Sequence, residues 1–246
     1  MKRISLQYRM VTKENSYRYK EEIAQLDIPE WKKTIAYKNT PYTVLHMEAI
    51  VNLIDITERI VKNNIPGDFV ECGVHAGGCC MIMAQVLKHY SDERTIWMYD
   101  TYDGIPIPGD TDVWTDGRPL TEIFNETNRL DEDDNSSWCY TSLEHVKENM
   151  QTFDYRGDIK YIKGLVEDTI PVYLPDTIAL LRIDVDLAVP TKHCLENLYQ
   201  LMVKDGQLTL DDYGHFPMVK QVVDDYLGSK IHELVAVGYT IRNLIK

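Results

Sequence analysis

The segment from Asp68 to Gly78 constrains the fold of this chain most strongly, because an apolar strand there runs into a glycine-bearing turn and then a helix. An acid, Glu71, stands at the end of the predicted strand, and Gly73 and Gly77 follow it. Glycine lets a backbone approach a ligand closely, and the start of a helix presents free N–H groups. The dinucleotide fingerprint has glycines closer together and its acid one strand later. The segment therefore predicts a different kind of nucleotide or nucleoside site.

Strand and helix patterns alternate after this segment. Repeated strand–helix–strand units force a parallel sheet with right-handed crossovers, and two closing runs around Gly238-Tyr239 predict a hairpin. We therefore expect an α/β fold of the Rossmann-like methyltransferase type, a mostly parallel seven-stranded sheet with a C-terminal antiparallel hairpin and helices on both faces. The predicted strands are 69–74, 95–99, 159–162, 178–185, 207–210, 233–237 and 240–245, and the predicted helices are 46–63, 78–90, 142–153, 191–203 and 218–227.

The length of 246 residues favours one domain, 1–246. Residues 1–45 are polar and mixed, with weak helical periodicity, and we expect an N-terminal extension that packs over the core. Residues 102–140 interrupt the alternation and carry prolines, glycines and acids. A connection of that length in a compact domain predicts a functional lid.

Composition excludes several classes of partner. The net charge is −13, with 39 Asp and Glu against 26 Lys and Arg, whereas a protein that binds nucleic acid needs a basic surface. No apolar run approaches the roughly 20 residues that cross a bilayer, and no secretory signal is expected. The five cysteines include no Cys-x-x-Cys pair, which is typical of a reducing compartment without structural zinc. We expect a cytoplasmic enzyme with a small-molecule substrate, no nucleic-acid or membrane partner, and a homo-oligomeric state of dimer or higher.

Acids follow several of the predicted strands, at the sheet edge where such folds bind ligands. Glu71 in the first turn suits a ligand with a cationic amine, such as S-adenosylmethionine, and Asp100 after the second strand can accept both hydroxyls of a ribose. Asp184, Asp211 and Asp212 together offer the hard oxygen ligands that Mg²⁺ prefers. In the alternative reading, one of the last two aspartates caps a turn while Asp186 pairs with a lysine.

The histidine at position 215 follows the Asp211-Asp212 pair and would lie at the mouth of this site. Its ordinary pKa of roughly 6.5 suits a proton acceptor. A loop histidine without a role is the alternative. We treat His215 as a reserve candidate for the catalytic base.

Several motifs together resemble the macrocin O-methyltransferase family, which includes sugar methyltransferases of mycinamicin and novobiocin biosynthesis. The resemblance covers about residues 40 to 230, in order and with similar spacings. The motifs are Pro41-Tyr-Thr43, Ile65-Pro-Gly-Asp-Phe-Val-Glu-Cys-Gly-Val74, Gly77-Gly78, Tyr99-Asp100-Thr-Tyr-Asp-Gly-Ile-Pro106, Ser142-Leu-Glu, Gly164 to Pro171, Leu181-Arg-Ile-Asp184 and Asp211-Asp-Tyr-Gly214.

The resemblance implies an enzyme dependent on S-adenosylmethionine and Mg²⁺ that methylates a sugar hydroxyl of a glycosylated natural product or saccharide, as in antibiotic biosynthesis. Its metal ligands fall on the trio of aspartates already isolated. Its cofactor-binding positions fall on Glu71, Gly73 and Asp100, with Thr43 and Ser142 as further contributors. We expect Asp184 to act as the catalytic base as well as a ligand.

Three other functions stay open from the sequence. A Mg²⁺-dependent methyltransferase of catechols would use the same ligands, because adjacent phenols chelate metal as a diol does. A nicotinamide-dependent oxidoreductase is disfavoured by the glycine spacing, and a non-catalytic binding protein has no need of the aspartate trio. In the predicted lid, Trp114, Trp138 and Tyr140 would either contact the sugar or stabilise the loop.

Overall fold

The computed structural model describes residues 13–128 and 138–246. The predicted extension 1–45 and insert 102–140 therefore each fall partly outside the described residues. None of the helices in the described ranges is long and apolar enough to span a bilayer. The helices are α1 (Lys13–Gln25), α2 (Glu30–Asn39), α3 (Met47–Lys62), α4 (Gly78–His89), α5 (Leu120–Thr127), α6 (Leu143–Met150), α7 (Val166–Thr169), α8 (Ala188–Leu198) and α9 (Pro217–Leu227). The strands are β1 (Asp68–Cys72), β2 (Ile96–Asp100), β3 (Ile159–Lys163), β4 (Ile178–Ile183), β5 (Met202–Leu210), β6 (Val235–Val237) and β7 (Ile241–Ile245).

The seven strands form one sheet in the order β3-β2-β1-β4-β5-β7-β6. Strands β1 to β5 are parallel, and β7 pairs antiparallel with both β5 and β6. The predicted fold class is therefore confirmed, including the terminal hairpin. From β1 the chain adds β2 and β3 on one side of the sheet, and it then returns to add β4 and β5 on the other side of β1. The direction of strand addition therefore reverses between β1 and β4, and open α/β sheets bind ligands at such a switch point.

Apolar residues cover both faces of the sheet. On one face α2, α3 and α4 pack over side chains such as Phe69 and Ile96, and on the other face α8 and α9 pack over side chains such as Leu181 and Leu208. All six residues of β4 are buried, as expected for a central strand covered on both sides. One of the six is Arg182, a charged residue that must find partners inside the protein.

Several element boundaries differ from the sequence expectation. Helix α2 was not predicted, because the polar residues Lys32 and Asn39 lie on its buried side and disguise the apolar pattern. The Lys32 ammonium is paired with Asp55 at 2.5 Å, and the Asn39 amide donates to the Ile35 carbonyl at 2.7 Å. These partners make polar residues tolerable in a buried helix face.

Strand β5 begins at Met202, five residues before the predicted start, and α8 ends earlier than expected. The segment Lys204-Asp205-Gly206 resembles a turn in sequence, and Asp205 has a φ of 63°. The β4–β5 pairing absorbs this irregularity through a register shift between Ile178 and Leu180. Helix α5, within the predicted insert, was also not anticipated.

Candidate functional site

A cavity of about 710 Å³ opens at the carboxyl ends of the parallel strands. Its wall includes the segment 42–46, the turn after β1, the residues that follow β2, β3, β4 and β5, and the turn of the C-terminal hairpin. Most of the residues predicted for the site line it, namely Thr43, Glu71, Gly73, Asp100, Asp184, Asp211, Asp212 and His215. Ser142 is not among the lining residues, and its hydroxyl instead caps α6 by accepting from the His145 amide at 3.3 Å.

Gly73 is required by the packing of β1 against the end of β4. Its φ is 84°, and a Cβ added there would lie 1.7 Å from the carbonyl oxygen of Asp184. Any side chain would therefore separate the turn after β1 from the backbone that carries Asp184. The glycine keeps the predicted cofactor-binding turn and the predicted metal ligand side by side.

Asp100 organises the backbone around the cavity. Its carboxylate accepts from the amides of Val74 at 2.6 Å, His75 at 3.0 Å and Tyr102 at 2.6 Å. Burial raises the pKa of Asp100, and these three amides act in the opposite direction. Asp100 thus fixes the turn after β1. The sequence predicted only a contact between Asp100 and a ribose, and not this structural role.

Arg182 connects Glu71, near the end of β1, with the aspartates that follow β4 and β5. The sequence analysis did not identify it as a site residue. Its Nη1 lies 2.8 Å from Oε1 of Glu71 and 2.5 Å from Oδ2 of Asp184, and its Nη2 contacts Oδ2 of Asp211. The Arg182 side chain is 1% exposed. The signal was present in the sequence, because an arginine within the apolar run 178–185 has to be paired with acids.

Asp184, Asp211 and Asp212 form a cluster that can hold a cation. One carboxylate oxygen from each lies within 4.8 Å of the others, and the cluster faces the cavity. Three converging carboxylates are hard oxygen donors of the kind that Mg²⁺ takes, with further positions left for water or a substrate. The structure therefore brings together the predicted trio, and its residues fit the expected cation.

Crowding changes the protonation of these acids. Burial raises the pKa of Glu71 to about 7 although Arg182 opposes the shift, and burial with the charge of Asp184 raises the pKa of Asp211 to about 7. The pKa of Asp212 is also raised, by burial and then by Asp186 and Asp184. Carboxylates this close retain protons more tightly than isolated ones, although Arg182 places one positive charge among them.

Asp186 lies next to this cluster. Its backbone amide donates to Oδ2 of Asp212 at 3.1 Å, and its φ of 60° is unusual for a residue with a side chain. Burial and the neighbouring charges of Asp184 and Asp211 raise the pKa of Asp186. Within residues 13–128 and 138–246 it forms no ion pair with a lysine, so the alternative reading of this residue is wrong.

His215 lies at the cavity among aromatic rings. Its ring meets those of Trp114 at 5.1 Å, Phe216 at 4.6 Å and Tyr239 at 6.0 Å, each edge to face. Burial lowers the pKa of His215, so its ring is neutral at pH 7 and able to accept a proton. Trp114 packs against the histidine and does not line the cavity.

The described part of the predicted lid packs onto the core and borders the cavity. Trp138 lies against Phe124 of α5 at 5.1 Å and donates to the Thr127 hydroxyl at 3.1 Å, which is a stabilising role within the loop. The buried Asp112 accepts from the Ala188 amide at 3.0 Å, at the start of α8. This carboxylate caps α8 and fixes the insert beside the cavity.

Comparisons with known proteins agree on one family. The sequence profile of the macrocin-O-methyltransferase (TylF) family matches residues 3–236. The demethyldecarbamoylnovobiocin O-methyltransferase of Streptomyces niveus is 33% identical over 187 residues, which cover 75% of this chain and 67% of that protein. The mycinamicin III 3''-O-methyltransferase of Micromonospora griseorubida is 29% identical over 192 residues, covering 77% of this chain and 72% of that protein.

A solved structure with a similar fold is also an O-methyltransferase. The structure of the O-methyltransferase NovP superimposes with a TM-score of 0.71 at 26% identity, covering 94% of this chain and 99% of that one. The family predicted from the sequence motifs is therefore confirmed.

Proposed function

This chain belongs to the macrocin O-methyltransferase family and is an S-adenosylmethionine-dependent O-methyltransferase, and from that premise we propose that it methylates a sugar hydroxyl of a glycosylated natural product or saccharide. The observation that carries the proposal is the aspartate cluster that shares one cavity with the glycine turn after β1. Relatives named for demethyldecarbamoylnovobiocin and for mycinamicin III support the acceptor class.

We assign the cofactor to the half of the cavity formed by the ends of β1 and β2. Glu71 lines this half and offers carboxyl oxygens that can accept from a cationic amine, Gly73 and Asp100 shape the turn, and Thr43 lines the wall beside the start of α4. Gly78 fixes that wall, since a Cβ added there would lie 2.3 Å from the Tyr42 carbonyl oxygen. The donor would thus be bound beside the aspartate cluster.

We assign Mg²⁺ to Asp184, Asp211 and Asp212. The ion, when bound, would orient two neighbouring hydroxyls and lower the pKa of the one that reacts. Arg182 contacts Asp184 and Asp211 from inside the protein, so the carboxylates are held in position from the side away from the cavity. The protein's part is to present these oxygens and to align the acceptor at roughly 3 Å from the methyl carbon.

Methyl transfer forms a C–O bond, breaks an S–C bond and releases the hydroxyl proton. Asp184 was the expected acceptor of that proton, but Arg182 already holds one of its oxygens at 2.5 Å. Asp186 has no such partner among the described residues and lies beside Asp212 at the cavity. We therefore propose Asp186 as the proton acceptor, Asp184 as a cation ligand and His215 as the competing candidate.

Replacement of the two candidate bases distinguishes them. Asp186→Asn keeps a residue that tolerates a positive φ, and loss of a general base should lower kcat about 100-fold or more. His215→Asn should lower kcat less, and both variants should bind S-adenosylhomocysteine like the wild type in calorimetric titrations. The reverse order of effects would assign the proton to His215.

An acceptor panel tests the function as a whole. We would measure methyl transfer to demethyldecarbamoylnovobiocin, mycinamicin III, methyl α-L-rhamnopyranoside and catechol, each with Mg²⁺ and with EDTA. We expect turnover of a glycoside that EDTA abolishes and Mg²⁺ restores. Turnover of catechol alone would refute the sugar assignment, and turnover unaffected by EDTA would refute the metal assignment.

A further inference from the structure

The turn of the C-terminal hairpin forms part of the cavity wall, on the side of the aspartate cluster. Strand β7 runs antiparallel to β5, with Leu210 opposite Arg242, so the turn 238–240 lies at the carboxyl end of β5. The Thr240 hydroxyl is 3.4 Å from Oδ1 of Asp211. The turn therefore adjoins the proposed cation ligands and lies away from the ends of β1 and β2, where the cofactor is assigned.

Tyr239 presents an aromatic ring from this turn. It lines the cavity and is 64% exposed, whereas Tyr99, another aromatic residue of the wall, is buried. The phenol oxygen of Tyr239 forms no hydrogen bond to any residue in the described ranges. Its ring lies edge to face with His215, at 6.0 Å.

The backbone under Tyr239 is held on both sides. The Gly214 amide donates to the Thr240 carbonyl at 2.8 Å, and a Cβ added to Gly214 would lie 1.9 Å from the Tyr239 carbonyl oxygen. On the other side, a Cβ added to Gly238 would lie 2.0 Å from Nε2 of His46. Close packing of this kind fixes the backbone from which the exposed ring projects, so less backbone entropy is lost when a ligand packs on the ring.

We propose that Tyr239 is a specificity-determining residue that packs its ring against the pyranose of the acceptor, an inference that rests on the proposed function. The apolar C–H face of a sugar suits an aromatic ring, whose phenol can also donate to a sugar hydroxyl. The sequence left open whether Trp114, Trp138 and Tyr140 contact the sugar or stabilise the loop, and the two tryptophans pack within the protein. Tyr239 in contrast lines the cavity with an exposed ring, in the turn that also carries Thr240 and close to Asp211.

The test compares Tyr239→Ala and Tyr239→Phe with the control Tyr173→Ala. Tyr173 is 53% exposed and does not line the cavity. Rates at saturating S-adenosylmethionine and Mg²⁺ would be measured with methyl and 4-nitrophenyl α-L-rhamnopyranoside, and binding of both to the S-adenosylhomocysteine complex by saturation-transfer NMR. Tyr239→Ala should raise the KM of both glycosides about five- to tenfold, with kcat and S-adenosylhomocysteine affinity nearly unchanged. Tyr239→Phe should retain most of the affinity, and the control should behave as the wild type.

Three outcomes would overturn the inference. If the wild type methylates both glycosides and Tyr239→Ala has the same KM, the proposed contact between the ring and the sugar is refuted, and the proposed function is not affected. A loss confined to the 4-nitrophenyl glycoside assigns the ring to the aglycone in place of the sugar. A wild type that neither binds nor methylates a glycoside refutes the proposed function, and the inference with it.

Discussion

Arg182 carries a positive charge inside a group of acids that would otherwise repel one another. It reaches Glu71 on the proposed cofactor side and Asp184 and Asp211 on the proposed metal side. The guanidinium has the fork geometry that suits several carboxylates at once. The arrangement of the cofactor side and the metal side of the cavity therefore depends on the Arg182 side chain.

Arg182→Met should destabilise the protein strongly, because it leaves three carboxylates in the interior without their cation. Loss of one partner from a buried pair costs about 3–5 kcal/mol of unfolding free energy. Lys192→Met is the control, since it removes an exposed pair with Glu196 and should leave stability nearly unchanged. Urea denaturation measures both. Equal stability of the two variants would contradict the role assigned to Arg182.

At the residue scale, the sequence predicted which carboxylates lie close together, but not which groups bind each of them. The aspartate trio could be predicted because parallel strands end at one edge of the sheet. The contacts of Asp100 with the amides of Val74 and His75 could not, because they depend on the conformation of the turn after β1. Arg182 was visible in the sequence, but its partners depend on the alignment of β4 with β1 and β5.

At the element scale, prediction succeeded where the hydrophobic pattern was simple. The central strands and the hairpin follow from apolar runs and turn residues. Helix α2 was missed because Lys32 and Asn39 lie on its buried side, and β5 was cut short because Asp205-Gly206 looks like a turn. Both failures arise where tertiary partners compensate for an unfavourable local sequence.

Gly78→Ala should separate the first turn of α4 from the segment that carries Thr43. The added Cβ would meet the Tyr42 carbonyl oxygen at 2.3 Å, and since that atom is backbone, the segment has to move. We expect a loss of about 1–3 kcal/mol in stability and weaker S-adenosylhomocysteine binding, measured by denaturation and calorimetry.

Gly109→Ala provides the comparison for that variant. Its added Cβ would meet Oδ2 of Asp112 at an ordinary 3.4 Å, and stability should change little. If both alanines had the same small effect, the close contact between α4 and the 42–43 segment would not matter to the fold.

On the scale of the whole molecule, the buried acids should make stability depend on pH and on divalent cations together. The pKa of Glu71 rises from 4.5 in the unfolded chain to about 7 in the folded protein, so the folded state binds this proton more tightly. Asp211 behaves alike, with a pKa raised to about 7. The stability contributed by these protons is present below the unfolded pKa and is lost as pH rises through about 7.

We therefore expect the Tm measured without divalent cations to decrease as the pH rises from about 5 to about 8. Mg²⁺ should raise the Tm more at pH 8 than at pH 5, because the carboxylates that bind it are then ionised. Calorimetric scans with Mg²⁺ or EDTA would measure this, and Glu71→Gln should flatten the fall while retaining the response to Mg²⁺. An equal response to Mg²⁺ at both pH values would contradict a cation site made of these acids.

The position of β7 between β5 and β6 has a consequence for the order of folding. Strand β7 follows β6 in the chain but does not extend the sheet at its rim, since it lies between β5 and β6. Strand β5 has no neighbour on this side until β7 pairs with it, and the Gly214 amide, in the loop after Asp211 and Asp212, has no acceptor until the Thr240 carbonyl is in place. We therefore expect the aspartate cluster to reach its final arrangement only after the hairpin has docked, late in folding.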